Sequence, residues 1–587
     1  MQTAETVLNV LRDRGRRDLP CNELYRQLFN PSLYLLAYGR LYSNQGAMTP
    51  GTTGETADGM SMVKIGRVID ALRHERFRFE PAKLIYIPKK NGKARPLGLP
   101  SWTDKLVGEV IRLLLEAYYE PRFSDRSHGF RPRRGCHTAL SEVAETWSGT
   151  TWFIEGDISD CFGSLDHRTM LAILGEKIHD NRFLRLIKQM LQAGYLEDWV
   201  WNATLSGAPQ GGVVSPILAN IYMDRLDKFV ETVLIPEYTR GKRRTNNPAY
   251  FKMAQAMWRA RKRGDRTVVR ELWKQQRGLP CRDPHDPGYR RLRYVRYADD
   301  HLLGFAGPKA EAEEIKARLA AFLRDDLKLE LNEDKTVITH GRTKAAMFLG
   351  YEITVQHSRD RPTVNGTIGL RVPRLVIKTK CAPYLKRGKP ERRPELMNHD
   401  DLMIISRYGA EYRGLIQYYI MAGDVWRLSR LEWVAKTSML KTLAAKHGST
   451  VSKMARKYKA TIETPHGPRT CFQASLERPG RKSRVARFGG IPLKRQKKAV
   501  LVDRRPALAT RRNELISRLQ AGQCEWCERK TTVEVHQVPK LADLTQPGRS
   551  QPAWAQLMAR MRRKTLVVCT TCHQAIHAQQ PIATSTE

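Results

Sequence analysis

Residues 291–307 read RLRYVRYADDHLLGFAG. Apolar and aromatic residues lie on both sides of a double acid, with Tyr294 and Val295 before it and Leu302, Leu303 and Phe305 after it. Two β-prone runs around a short polar break are the pattern of a hairpin. An Asp-Asp pair is commonly a solvated turn, but these flanks belong in a core, where a carboxylate needs an ionic partner or a metal. Asp157 closes a second apolar run, WFIEGD at 152–157. Being so far away in sequence, it can reach Asp299 and Asp300 only through a shared sheet. Three carboxylates meeting there suit two oxygen-preferring divalent ions, usually Mg2+, bridged by the phosphates of a substrate.

Composition indicates the partner. Among 587 residues, 101 Lys and Arg face 60 Asp and Glu, a formal net charge of +41. Such an excess needs a polyanion, and nucleic acid is the commonest one. At roughly 100–200 residues per domain, the length allows three or more domains. A content of 41% hydrophobic residues with 11 Trp excludes a disordered basic protein. No segment approaches the ~18 consecutive apolar residues of a membrane span, which predicts a soluble protein. The start, MQTAETVLNVLRDRGRRDL, carries Glu5 and Asp13 and no long apolar stretch, unlike a secretory or transit signal. Six of the ten cysteines are isolated, while Cys524, Cys527, Cys569 and Cys572 form two CxxC pairs. That division fits a reducing cytoplasm and bound zinc better than a disulfide framework.

Along the chain, GAMTPGTTGETADGM (46–60) is turn-rich and reads as an ordered loop or a linker. A helical pattern follows it, then strand, basic turn and strand in KLIYIPKKNGKARPLGLP, then a long helix over 103–119. Residues 235–292 form a basic, helix-prone insertion. The spacing predicts a helix over 310–328, strands over 329–339 and 345–354, and helices through 400–460. Residues 478–500 are rich in Arg, Lys, Gly and Pro and predict an arm that folds poorly by itself.

With these motifs in view, the sequence resembles the reverse transcriptases encoded in group II introns. YADD (297–300) is similar to the catalytic motif of reverse transcriptases, and GDISDCFGSLDH (156–167) to the first palm motif. SGAPQGGVVSPILANIYMDRLD (206–227) is similar to the loop and helix behind the templating base pair. SHGFRPRRGCHTAL (127–140) and IPKKNGKARPLGLP (87–100) resemble finger motifs, and LNEDKTVITH (331–340) and MFLGY (347–351) follow in the expected order.

The resemblance implies that Asp157, Asp299 and Asp300 bind two Mg2+ ions, with the backbone of Ile158 nearby. One ion would lower the pKa of the primer 3′-hydroxyl, and the other would neutralise the triphosphate and leaving pyrophosphate. Lys89 and Arg95 would hold the incoming dNTP, and Gln210 would sit at nucleotide and template. Phe162 matches the bulky gate that collides with a ribose 2′-hydroxyl, which implies a DNA product. Lys335 resembles a lysine proposed to protonate pyrophosphate, although a surface Lys at a strand end is the commoner reading. His301 and Cys161 read as packing, Tyr222 and Met223 as core, and Asp166 as a helix cap.

Downstream, SRYGAEYRGLIQYYIMAGDVWRLSRLEWVAKTSMLKTLAAKHG (406–448) resembles the thumb, or maturase, domain of intron-encoded proteins. Arg413, Arg427 and aromatics such as Tyr418 and Trp426 mix cations with rings in a way suited to RNA; a helical bundle would pack most of those rings inside. Four thiolates in two CxxC pairs make a closed, structural Zn2+ site. Around them, VEVHQVPKLADL (533–544) and CHQAIH (572–577) resemble an HNH endonuclease domain. The resemblance assigns His536, His573 and His577 to a divalent ion, Mg2+ or Mn2+. Where the family pattern has a second histidine, this chain has Gln537, which cannot accept a proton from water at neutral pH. The module is therefore expected to bind DNA and zinc but nick weakly. Two alternatives compete: the filled divalent-ion site activates water unaided, or His536 is itself the base and another oxygen ligand joins His573 and His577.

The implied fold is α+β and multidomain: a right-hand polymerase with fingers, α/β palm and helical thumb, a basic DNA-binding arm, and a small zinc-bound HNH (ββα-metal) module. The expected divisions are an N-terminal extension (1–60), fingers (61–150), palm (151–370, with the insertion near 235–292) and thumb or maturase domain (371–470). A basic DNA-binding region with Arg481, Lys482 and Arg484 (471–512) and the HNH module (513–587) follow. The implied function is an RNA-directed DNA polymerase and maturase. It would bind its intron RNA, assist splicing and copy the intron into DNA at a target site during retrohoming, in a bacterial cytoplasm close to the nucleoid. The rival readings are a retron-like or host-adopted reverse transcriptase and a splicing-only maturase; the complete carboxylate set argues against the last.

Overall fold

The computed structural model describes residues 2–88, 92, 94–197, 200–202, 204, 206–207, 212–358, 362–478, 481–498, 501, 514–544 and 551–578. Lys89 and Gln210 lie outside these residues. The expected hairpin forms: Arg291–Tyr297 pairs antiparallel with Asp300–Ala306, and Tyr297 opposite Asp300 leaves a two-residue turn of Ala298 and Asp299. Trp152–Gly156 adds to its other edge and Ile338–His340 to that, giving a four-stranded sheet. Successive residues of a strand face opposite sides. Leu292, Tyr294, Ile154, Leu303 and Phe305 accordingly enter one core, and Val295, Phe153 and Leu302 a second. A sheet buried on both faces explains why the hairpin reads as nearly continuous apolar sequence.

The first core gathers the helices Ala4–Arg16, Pro31–Leu41, Trp102–Tyr119 and Ser215–Phe229. The second gathers Cys136–Thr146, Asp401–Tyr419 and Ser429–Lys446 with the sheet Ala346–Phe348, Tyr351–Val355, Ile368–Arg371. Ala82–Pro88 and Ala94–Leu99 pair antiparallel, the two strands expected there. Within the insertion, Pro248–Lys262 and Arg266–Gln276 form a helical hairpin, with side-chain caps from Asn247 and Asp265. No helix among the described residues is long and apolar enough to cross a membrane.

Four expectations about local structure need correcting. Over 329–339 only Ile338 and Thr339 are in a strand, because the polar NEDK run turns back on Asn332, whose carbonyl accepts from the N–H groups of Lys335 and Thr336. The strand expected over 345–354 is a hairpin, broken by Leu349 and Gly350, both at positive φ. The basic arm is ordered where it is described. Arg481–Gly489 pairs with Arg469–Arg478, and Ala486 and Phe488 turn inward while Val485 and Arg487 stay exposed. Helix Asp401–Tyr419 lies against this sheet at Gly409, where an added Cβ would sit 2.1 Å from the Arg487 carbonyl oxygen. Finally, the small HNH module, expected as a division of its own, is joined to the N-terminal part of the fold. The module's strands Val533–Gln537 and Thr565–Cys569 are joined by a third, Met60–Ser61, at the end of the stretch that reads as an ordered loop or a linker. Val533, Val535 and Val567 enter the N-terminal core, while Leu566 and Val568 pack in the module's own.

Candidate polymerase site and metal centres

Asp157 follows the strand Trp152–Gly156, and Asp300 opens the strand beside it, so the sheet register, with Gly156 opposite His301, brings these distant carboxylates to neighbouring positions. Burial, then the negative charges of Asp299 and Asp157, push Asp300 up to about 7. Burial also raises Asp299, reinforced by Asp157 and opposed by the cations Arg95 and Lys335. Carboxylates held near one another against their own repulsion are what a divalent cation relieves. The oxygen atoms of the three do not all lie within 4.8 Å of each other. Asp157 and Asp300 sit across from each other on neighbouring strands, and Asp299 lies in the turn.

Lys335 is brought in more firmly than its sequence position indicated. Asn332 N–H donates to the Asp157 carbonyl (2.8 Å), Ile158 bridges to Leu331, and from this anchored turn Lys335 Nζ donates to Asp157 Oδ2 at 2.6 Å. Arg95 stands exposed opposite Ile87 on the basic hairpin. Phe162 is half-buried, edge-on to Phe130. Ser206 and Gly207 are tied to the residues after Phe162: Gly207 N–H donates to the Leu165 carbonyl (2.7 Å) and Ser206 Oγ to that of Gly163 (2.9 Å). Ile158 and Cys161 are buried, and Asp166 caps the helix His167–Gly175 through Thr169 N–H. His301 is packing, as read. It lies across Gly156, where an added Cβ would fall 2.0 Å from its Nε2, and burial pushes its pKa down to about 4.

Arg296 escaped the sequence reading. Its side chain is fully buried, and it grips Asp227 through two parallel bonds, Nε to Oδ1 (2.7 Å) and Nη2 to Oδ2 (2.6 Å). It also donates to Ser127 Oγ (2.9 Å) and, through Nη1, to the Ala298 carbonyl (2.8 Å). Ala298 has φ +57°, a conformation costly for a residue with a Cβ. Arg296 thus holds the strained turn that carries Asp299. An arginine inside an apolar strand requires such a partner, but nothing in the sequence identifies Asp227 as that partner.

Two further clusters lie at the C-terminal module. Cys524, Cys527, Cys569 and Cys572 are unbridged with all sulfurs within 4.8 Å, and Cys527 and Cys569 are 3.8 Å apart. For Zn–S bonds of about 2.3 Å a tetrahedral edge is about 3.8 Å, so the tetrad fits zinc. His536, His573 and His577 also converge, and they are joined by Asp58 from the N-terminal loop. Gln537 has its side-chain oxygen buried without a partner among the described residues. Its Nε2 donates to the Tyr42 carbonyl (2.9 Å) and its N–H to Asp58 Oδ1 (2.6 Å).

Of the predicted nucleic-acid contacts, Arg413 and Arg484 are exposed, and Arg481 lies in the paired strand beside Lys482. Arg427 is half-buried and tied to Asp424 Oδ2 (3.1 Å) and the Val372 carbonyl (3.4 Å). Tyr408, Tyr412 and Tyr419 are core residues, whereas Trp426 is 64% exposed.

Comparison with known proteins agrees with this geometry. Residues 87–353 match the reverse transcriptase (RNA-dependent DNA polymerase) family, 368–472 the type II intron maturase family and 524–573 the AI2M/AI1M-like HNH endonuclease family. The group II intron-encoded protein LtrA of Lactococcus lactis subsp. cremoris is 37% identical over 94% of this chain and 95% of its own. The chain belongs to the group II intron-encoded proteins. A 91 kDa protein in the cob intron of Schizosaccharomyces pombe is 33% identical over 98% of this chain and 73% of its own. A COX1/OXI3 intron 1 protein of Saccharomyces cerevisiae is 35% identical over 74% and 55%. This group II intron-encoded protein is thus a reverse transcriptase and maturase with an HNH domain. Asp157, Asp299, Asp300 and Lys335 fall inside the reverse transcriptase match. Asp58 falls outside all three matches.

Proposed function

We propose that Asp157, Asp299 and Asp300 are the catalytic carboxylates of DNA synthesis and that the fold works as a right hand. Residues 61–150 form the fingers, 151–370 the palm and 371–470 the thumb, with 471–512 and the HNH module engaging the DNA target. The observation that carries this reading is the meeting of Asp157 and Asp300 across one sheet, beside a turn clamped by Arg296 and under the cation of Lys335. Two Mg2+ ions bound by these carboxylates would activate the primer hydroxyl and neutralise the phosphates. The protein's own groups do the rest. Arg95, with Lys89, binds the triphosphate, Phe162 closes the space a 2′-hydroxyl would need, and Gln210 orients the nucleotide at the template. Lys335, whose ammonium form is favoured by its bond to Asp157, is placed to give a proton to the leaving pyrophosphate.

The nucleic-acid partners are the protein's own intron RNA and a DNA target, bound through Arg413 and the Arg481–Arg484 strand, in a bacterial cytoplasm near the nucleoid. Arg427 serves this surface indirectly, by fixing Asp424 and hence the exposed Trp426. The zinc tetrad holds the HNH module together. The experiment is to give native protein and Asp299→Asn the same precursor containing its intron, then a primed intron RNA. Both should support splicing and only the native protein should make DNA; DNA synthesis by the variant would overturn the assignment.

A further inference from the structure

Asp58 lies in the stretch that reads as an ordered loop or a linker, 478 residues from His536, yet it sits at the centre of the histidine cluster. Its Oδ2 is 2.8 Å from His577 Nε2 and 3.3 Å from His573 Nε2, and its Oδ1 is 3.4 Å from His536 Nδ1. The Nε2 atoms of His573 and His577 are 3.2 Å apart. With metal–nitrogen and metal–oxygen bonds of about 2.0–2.1 Å, the edge of a tetrahedron is about 3.3–3.4 Å, close to most of these separations.

Orientation points the same way. His573 Nδ1 lies 2.9 Å from Glu534 Oε2. A proton held there leaves Nε2 with a free lone pair, the usual support of a metal-ligating imidazole. His536 is 5% exposed, and among the described residues neither ring nitrogen makes a well-formed hydrogen bond, Nδ1 meeting only Asp58 Oδ1 at 3.4 Å, a costly state for a buried polar ring unless a ligand is to be bound. Asp58 is held in place by backbone. Gln537 N–H donates to it, Gly59 N–H donates to the Val535 carbonyl (2.9 Å), and Met60 pairs with Val535. Gly59 makes the bend at φ +71°, which favours glycine.

We propose that Asp58 is the fourth protein ligand of a divalent transition ion, of which Zn2+ is the type, held by His536, His573 and His577. This rests on the HNH reading of the three histidines and adds to it a ligand from the opposite end of the chain. A nuclease metal keeps a position open for water, whereas four protein ligands close the shell. The ion therefore latches residues 42–61 onto the C-terminal module and leaves the HNH site shut in this conformation. Any cutting requires Asp58 to withdraw.

The test uses the full-length protein, stripped and reloaded with Zn2+ or Co2+, with the ion at the four cysteines as an internal control for folding of the module. Native protein should take up a second ion and give the strong visible absorption of four-coordinate Co2+. Asp58→Ala should lower affinity for that ion at least about tenfold and weaken the absorption as water enters. Asp58→Asn, which keeps the shape and can still accept from Gln537 N–H, should shift both in the same direction. Removing the second ion from native protein should speed amide exchange at the Met60–Val535 pair. If both Asp58 variants keep native affinity and spectrum while His573→Ala loses the ion, the three-histidine site stands and the latch is refuted. If native protein takes up no second ion, the histidine reading fails and the latch with it.

Discussion

A guanidinium sealed inside a sheet, as Arg296 is, cannot lose its carboxylate without leaving a bare charge in the core. Arg296→Met should cost about 3–5 kcal/mol by stranding Asp227. The pair replacement Arg296→Met with Asp227→Leu should recover most of the melting temperature but leave the Ala298 carbonyl unheld, so primer extension should stay depressed. Full recovery of synthesis would show that the turn holds itself. At the nucleotide, Phe162→Ala should admit ribonucleotides while deoxynucleotides are still incorporated, because the ring excludes the 2′-hydroxyl by volume; unchanged sugar selectivity in single-nucleotide incorporation would place the gate elsewhere. The acids at 299 and 300 were legible because apolar flanks on both sides made them anomalous. Asp227 and Asp58 were not, since each sits in a polar setting where an acid needs no explanation and meets its partner only in three dimensions.

Helices and strands carry the next level. At the start of helix Asp401–Tyr419, Asp401 receives Lys446 Nζ (2.8 Å), His447 Nε2 (2.9 Å) and Tyr458 OH (2.5 Å), clipping three elements together. Burial pulls its pKa up, but the bonds from Lys446, Tyr458 and His447 prevail and hold it down to about 2. A carboxyl depressed below its unfolded value of about 3.9 stabilises the fold above that pH and loses the contribution as pH falls toward 2. Asp401→Asn should therefore lower the melting temperature at neutral pH, and the deficit should shrink as pH drops from about 4 to 3; a deficit independent of pH would mean that the charge is not what matters. The strand Arg481–Gly489 was hidden in sequence by its Arg and Gly content, because a strand with one wet face needs only two inward residues, here Ala486 and Phe488, to declare its period. Reversing charge at exposed Arg484 should weaken DNA-target binding more than extension of a preformed primer–template.

At the scale of the whole molecule, a net charge of +41 on a fold with two large cores implies that RNA binding is dominated by displaced counterions. Affinity should fall at least about a hundredfold between about 50 and 200 mM salt; a flat dependence in filter binding would contradict that. The order of fold and function along the chain was readable because each motif is local: the hairpin, the CxxC pairs, the histidines one helical turn apart. The joining of the two ends of the chain was not, since three strands from residues 60–61, 533–537 and 565–569 share a sheet that no local pattern announces. The proposed DNA synthesis depends above all on the three carboxylates. Primer extension on an intron RNA template with Mg2+, run for native protein and for Asp157→Asn, Asp299→Asn and Asp300→Asn with RNA binding measured in parallel, tests it directly. DNA synthesis by the native protein alone, with binding unchanged in all four, is the predicted result; substantial synthesis by any one variant would contradict it.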